Sequence, residues 1–412
     1  MLRADVNLPA PPTHLGFQRN KRAAPRGSPL LGEACGPSSG SVLTAAEGRG
    51  RIERDPWLRG RKPSAPPEGC QAGRAGPVSC LGVMAVDANY DVVVVGGGAA
   101  GLSAALVLGR ARRRVAVVDA ATPRNAPAAH MHGYLSRDGL PPVELLALGR
   151  AEVAGYGVEL LQGEVCSIQA GFVVGFGDGR SLRARRLLVA TGLSDVLPEI
   201  PGVREQWGKD LLHCPYCHGW EVRDQPLGVL GTSSAAVQHA LLVRQWSPDV
   251  IFFTHAFEPT ATERRQLASR GIRIVDGPVA RLVVAAGRLH GVELADGTVF
   301  PRVAVFVRPA LAARGNDLLA QVGCVPGEDG FVPVDATGQT SAAGVWAAGN
   351  VVDPRAQVIT AGGAGSAAAI ALNTDLIHED VTRALERYQP AGAVVLPAPR
   401  AAGPAFQPVP PA

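Results

Sequence analysis

Asp91-Val92-Val93-Val94-Val95-Gly96-Gly97-Gly98-Ala99-Ala100-Gly101 decides the fold of this chain. An apolar run with four valines enters glycines spaced G-x-G-x-x-G, and small helix formers continue to about Arg112. Branched Cβ atoms favour a strand, and the glycines permit the turn after it. A second apolar strand, Val115 to Asp119, completes a βαβ opening. Its acidic last residue stands about 20 positions after the turn, as a dinucleotide fingerprint requires. Gly96 supplies the tight turn, Gly98 admits a pyrophosphate at the helix N-terminus, Gly101 permits close helix packing, and Asp119 can accept from ribose hydroxyls.

Outward from this unit, helical apolar spacing returns through Val143 to Val153. Val165 to Val174 and Ser181 to Val189 flank the hairpin signal Asp178-Gly179, before Ala190-Thr191-Gly192 and a Pro-marked link from Pro198 to Pro201. From Leu227 the order repeats: Gly228-Val229-Leu230-Gly231, a helical stretch to about Trp246, then the strand Val250 to Thr254. Asp296-Gly297 marks a second hairpin between Leu289 to Leu294 and Thr298 to Val307, and the unit closes near Pro309. Gly344 to Asn350 and the Gly/Ala-rich helix beyond it supply the last strand and helix of the first unit. The expected fold is α/β, with two Rossmann-like, three-layer dinucleotide-binding domains. The second (200–309) is inserted into the first (85–199 and 310–386).

The flanks differ in composition. Residues 1–84, rich in Pro, Gly, Ala, Ser and Arg, lack periodicity and are expected to be disordered, as is the Pro/Ala-rich tail 387–412. With no targeting signal in the arm, translation starting at Met84 is favoured over a targeting role. With 412 residues, 46% hydrophobic and 18% charged, the chain can bury two cores. Its net charge of +4 owes much to the Arg-rich arm, so nucleic-acid binding has little support. No apolar run reaches the roughly 20 residues of a membrane helix, and a cytoplasmic protein is expected.

Seven cysteines are too few for a disulfide-stapled scaffold, and Cys35, Cys70 and Cys80 lie in the arm. Cys166 and Cys324, among Val, Ile and Gly, read as small buried hydrophobes. Cys214 and Cys217 differ, standing in His213-Cys214-Pro215-Tyr216-Cys217-His218-Gly219-Trp220-Glu221 between the two glycine turns. Cys-x-x-Cys brings two sulfurs within bonding reach and lowers one thiol pKa, so the pair suits thiol redox exchange. His218 can take or return the thiol proton. Zinc is the competing reading, but adjacent His-Cys and Cys-His pairs close a tetrahedron poorly and no second pair has ribbon spacing, so no metal is expected. His130 and His132, in Ala129-His130-Met131-His132-Gly133-Tyr134, could face a cofactor or substrate, or be ordinary loop residues.

In the second unit, Gly231-Thr232-Ser233-Ser234 places serine where glycine would admit a phosphate. Thr254-His255-Ala256-Phe257 lacks an arginine cluster for a 2′-phosphate. NADPH binding there is degraded yet open, since Arg264, Arg265 and Arg270 could reach a phosphate.

Taken in order, Gly96 to Gly101, Ala190 to Gly192, the cysteine pair, and Gly344 to Asn350 followed by Gln357 resemble thioredoxin reductase-like flavoproteins, over about Asn89 to Asp380. The resemblance implies FAD in the outer domain, a redox disulfide in the inserted one, a homodimer, and a protein or small-molecule dithiol or disulfide as partner. It implies a flavin-proximal Cys217 and a substrate-exchanging Cys214. It places Gly96, Gly98, Ala99, Ala100, Gly101, Asp119, Asn125, Thr191, Gly192, Gly349, Asn350, Gln357 and Val358 at the cofactor. His218 stands where the family has an acidic aspartate, and Asn350 where an aspartate binds the flavin side chain; its amide is expected to bond a ribityl hydroxyl instead. Cys-x-x-Cys-His-Gly with a weak nicotinamide turn is also similar to flavin dithiol oxidases, which pass electrons to oxygen. A non-catalytic flavin redox sensor is the alternative of another class.

Overall fold

A computed structural model describes residues 88–388. The expectations for residues 1–84, and for nearly all of 387–412, lie outside the described residues. β1 (Ala88–Val95) leads through the glycine turn into α1 (Ala99–Arg110), β2 (Val115–Asp119), α2 (Pro142–Ala154) and β3 (Glu159–Gln162). β4 (Val165–Gln169), β5 (Val173–Phe176) and β6 (Ser181–Val189) form an antiparallel meander, and β7 (Leu193–Val196) follows. Val165 to Val174, expected as one strand, is two, because Gly171 and Phe172 at φ 73° and 54° reverse the chain. The sheet runs β3-β2-β1-β6-β5-β4, parallel from β3 to β6.

The inserted unit opens with α3 (Val203–Gln206), β8 (Leu211–Leu212) and α4 (Pro215–His218). β9 (Leu227–Leu230), α5 (Ala235–Val243), β10 (Val250–Phe253), α6 (Ala261–Ser269) and β11 (Arg273–Val275) repeat the earlier alternation. β12 (Val279–Ala285), β13 (Arg288–Leu294) and β14 (Val299–Pro301) make an antiparallel sheet, after which β15 (Ala304–Val307) joins the parallel order β11-β10-β9-β15-β8. Thr298 to Val307 is therefore two strands in different sheets. Pro301 offers no N–H to continue the first, and Arg302 turns inward to Asp249 at 2.8 Å. β16 (Ala310–Ala313) pairs antiparallel with β7, so this ribbon carries the chain into and out of the insert. α7 (Asn316–Gln321), β17 (Val345–Ala347), a 3-10 turn at Gly349–Val351 and α8 (Val358–Arg387) complete the outer domain, with β17 parallel to β6.

Alternation along the strands divides each core into two layers. Val92, Val94, Val115 and Val117 pack towards α1, α2 and α8, while Val93, Val95, Ala116 and Val118 pack with β4, β5 and α7. In the insert, Val229, Phe252 and Phe306 meet α5 and α6, and Leu230, Ile251, Phe253 and Val305 meet the antiparallel sheet. Two three-layer Rossmann-like units result, the second inserted into the first. Among the described residues no helix is long and apolar enough to cross a membrane.

Candidate active site

Each fingerprint glycine has its own steric reason. A Cβ on Gly96, at φ +111°, would overlap the Ala190 carbonyl, and one on Gly101 would overlap the Gly96 carbonyl. Gly98 faces open space with nothing within 4 Å. It is also the N-cap of α1, which has no side-chain cap and no acidic residue in its first turn. The helix start, with Ala99 and Ala100, therefore meets a void with its positive dipole end uncompensated by a side chain, which suits a pyrophosphate. Asp119 lies against Gly97, 2.6 Å from where its Cβ would be, and accepts from the Ala121 amide at 3.1 Å. On the other side the 3-10 turn and α8 approach closely: Cβ atoms on Gly349 of the turn and Gly365 of α8 would strike Ala100. Gly365 thus serves helix contact at the turn.

The other expected cofactor residues are placed unevenly. Asn350 donates its amide to the carbonyls of Asp353 and Ala356, both at 2.9 Å, so its two N–H groups hold the loop before α8. Oδ1, an acceptor, remains for the expected bond with a ribityl hydroxyl, which would donate to it. Gln357 is the N-cap of α8, ahead of Val358, and its Oε1 lies 3.5 Å from where a Cβ on Gly133 would sit. Thr191 hydrogen-bonds the Arg314 carbonyl, and Gly192 accepts from the Arg314 amide at 2.9 Å, which turns both towards the ribbon. Asn125 is half-buried beside Arg124. Arg124 makes a bidentate pair with Asp195 of the ribbon at 2.6 and 2.8 Å, which nothing in the local sequence signals.

Cys214 and Cys217 form a disulfide across α4, with a Cα separation of 5.2 Å. Cys214 is the N-cap, and its carbonyl accepts from the amides of Cys217 and His218, both at 3.1 Å. Pro215 at the first helical position pre-sets the turn. Gly219 is its C-cap, where a Cβ would lie 2.5 Å from the Pro215 carbonyl and 2.7 Å from the Trp246 ring. His218 Nε2 is buried without a hydrogen-bond partner. Burial chiefly, and His132 to a lesser degree, lower its pKa, while Glu221 opposes them. A neutral imidazole with a vacant lone pair therefore stands directly after the pair, ready to accept a proton. Cys324 is buried as expected, whereas Cys166 is only half-buried on β4. Among the described residues no cluster of three His, Cys, Asp or Glu could hold a metal.

At the second glycine turn Ser233 and Ser234 are exposed ahead of α5, and Thr232 donates to the Arg308 carbonyl at 3.1 Å. Arg264 is committed elsewhere: it grips Glu258 and Asp276 at 2.5 and 2.6 Å, and both raise its pKa. Arg265 reaches the Thr262 hydroxyl at 3.3 Å. Behind the turn His239 is buried on α5, and burial pushes its pKa down to about 3.

Residues 90–365 match the pyridine nucleotide-disulphide oxidoreductase family model. Thioredoxin reductase sirT of Leptosphaeria maculans is 31% identical over 71% of this chain and 96% of its own length. The crystal structure of HlmI is 57% identical, with a TM-score of 0.71 over 73% of this chain and 96% of that one. A putative thioredoxin reductase TrxB from Bacillus anthracis is 35% identical, with a TM-score of 0.68 over 71% and 99%. This chain belongs to the pyridine nucleotide-disulphide oxidoreductase family, as a thioredoxin reductase-like flavoprotein oxidoreductase acting on a sulfur group.

Proposed function

We propose that the chain is an FAD-dependent thiol–disulfide oxidoreductase that relays two electrons through Cys214 and Cys217. The observation that carries this reading is the disulfide on its one-turn helix, followed at once by a buried, unpartnered imidazole nitrogen. The outer domain fits the cofactor: the open space at Gly98, the uncapped start of α1 and the carboxylate of Asp119 form a cradle for a dinucleotide. When bound, FAD supplies the two-electron chemistry that side chains lack.

With a dithiol, one substrate thiolate attacks Cys214, a sulfur–sulfur bond forms, and the Cys214–Cys217 bond breaks. Cys217 leaves as the thiolate, and His218 Nε2 takes the proton the substrate gave up. The second substrate thiol then attacks the mixed disulfide, releasing the oxidised product and Cys214. Two electrons have passed to the pair, with one proton on His218 and the other on Cys214, and the reverse sequence reduces a disulfide. The partner is a protein or small-molecule dithiol or disulfide, and the working unit is a homodimer in the cytoplasm, with α8 at its interface.

A second reading, an oxygen-dependent dithiol oxidase without NADPH, is favoured by one observation. Of the three arginines that could reach a 2′-phosphate, Arg264 on α6 is closed on two carboxylates, Glu258 before that helix and Asp276 after β11. Two assays separate the readings: NADPH oxidation with a disulfide, and oxygen uptake with dithiothreitol. Repeated turnover in neither, with one redox event per chain, would leave a flavin sensor instead.

A further inference from the structure

The parallel sheet of the insert runs β11-β10-β9-β15-β8, so the chain leaves β9 towards β10 on one side while β15 and β8 close the other. β9 and β15 meet at the switch point, where a doubly wound sheet opens a crevice beyond its carboxyl ends. Register carries the redox pair to that crevice. Phe306 is level with Leu212 and Val307 with Leu230, and one step on His213 Nδ1 lies 3.4 Å from the Val307 carbonyl. Cys214, half-buried and extended at φ −102° and ψ 110°, continues that direction and comes level with Arg308 across one strand spacing, roughly 4.8 Å. On the other flank Thr232 donates to the Arg308 carbonyl at 3.1 Å, which fixes the Arg308 backbone between the cysteine and the exposed Ser233 and Ser234. Arg264, Arg281, Arg288 and Arg302 of the insert are each closed on a carboxylate. Arg308 is exposed and makes no ion pair among the described residues. Burial is the main reason that His213 and His239, with rings 6.3 Å apart, have lowered pKa values, and the Arg308 charge adds to it in both, so the guanidinium lies on their side of the strand ends.

We propose that Arg308 is a specificity-determining residue that receives a carboxylate of the substrate, so that the preferred partner is a small dithiol with a carboxylate a few bonds from its sulfurs; this rests on the exchange role proposed above for Cys214. A substrate sulfur bonded to Cys214 leaves the rest of the molecule at the crevice, and a guanidinium fork grips a carboxylate through two parallel hydrogen bonds. Ser233 and Ser234 add hydroxyl donors at the same rim. A nucleotide pyrophosphate is the poorer match, because Ser233 stands where a glycine would let a phosphate approach. The redox step is unchanged: one thiolate opens the Cys214–Cys217 bond, the second thiol closes the product disulfide, and the two electrons stay on the pair. The carboxylate neither gains nor loses a proton.

The test compares two dithiols that differ only at the charged group, dihydrolipoate and its neutral amide, dihydrolipoamide. Disulfide opening without air is followed by timed alkylation of Cys214 and Cys217, at dithiol concentrations where the rate rises linearly. The readout is the ratio of the acid rate to the amide rate, which does not depend on the fraction of a variant that folds. In the parent this ratio should be about two to five, the scale of a solvent-exposed ion pair. Arg308→Lys should keep most of the preference, Arg308→Gln should bring the ratio to about one, and Arg308→Glu should reverse it. A parent that opens equally with both dithiols, or an Arg308→Gln ratio equal to the parent's, would overturn the proposal. NADPH oxidation lowered in Arg308→Gln while the ratio stays at the parent value would give the cation to a nucleotide and overturn it as well. If neither dithiol opens the disulfide, the redox reading of the pair fails and the proposal with it, a result distinct from opening without preference.

Discussion

At the scale of single residues, the glycines and the pair were legible because spacing alone fixes what they do. A Cβ at Gly96 or Gly101 meets backbone whatever the surroundings, and Cys-x-x-Cys closes on one helical turn. Partners set by how nearby loops fold were not legible: Asn350 is occupied by carbonyls three and six residues on, and Arg264 by carboxylates six residues before and twelve after it. Gly98→Val should abolish flavin retention, because the side chain would enter the only fingerprint position that faces open space; the ratio of visible to ultraviolet absorbance reads this, and full occupancy would sink the cradle assignment. His218→Ala should slow turnover on the order of 10²-fold while the disulfide still forms, since an acid–base group is lost but neither sulfur is moved. Cys214→Ser and Cys217→Ser should each end turnover. Only the former should keep a long-wavelength thiolate absorbance, since Cys217 is assigned to the flavin side.

Among the elements, β1, α1 and β2 emerged from the sequence because valine and small helix formers agree with their final packing. The two misjudged strands failed for backbone reasons, a reversal at Gly171 and Phe172 and a break at Pro301, neither of which interrupts the apolar pattern. Buried function within a helix was equally invisible: His239 on α5 reads as polar, yet it is 5% exposed and packs edge-on to Phe306 at 6.0 Å. Its folded pKa of about 3 lies below the unfolded value of about 6.5, so below pH 6.5 the unfolded chain binds the additional proton. Stability present above pH 6.5 should therefore be lost as pH falls from 6.5 towards 3, at a slope approaching about 1.4 kcal/mol per pH unit from this group. Denaturant melts between pH 7 and 5 should show His239→Leu with a shallower slope than the parent. An unchanged slope would mean that His239 does not stay neutral when folded.

For the whole molecule, the insertion was readable because the glycine-turn order occurs twice and a last strand and helix return afterwards. How the parts are held was not readable, since the Arg124–Asp195 pair and the Arg314 contacts to Thr122 and Ser194 join segments far apart in sequence. The inner side of α8 is anchored by Arg113, Arg185 and Arg186 reaching Asp375, Glu379 and Asp380. Its outer side carries Ile370, Ile377, Val381 and Leu385, at 58, 46, 51 and 66% exposure. Steps of seven, four and four residues keep these side chains within one stripe of the helix. Four branched aliphatic groups so placed would contribute roughly 1.5–3 kcal/mol each if fully buried, less for the part already covered. The proposed homodimer would cover them with their own counterparts, as a two-fold interface requires. Ile377→Lys with Val381→Lys should therefore shift the protein from dimer to monomer in sedimentation velocity at micromolar concentration. Flavin content should be kept, because α1 and the glycine turn contact the opposite side of α8. A variant that still sediments as the parent dimer would place the interface elsewhere, and a parent that is monomeric throughout would remove the homodimer from the proposal.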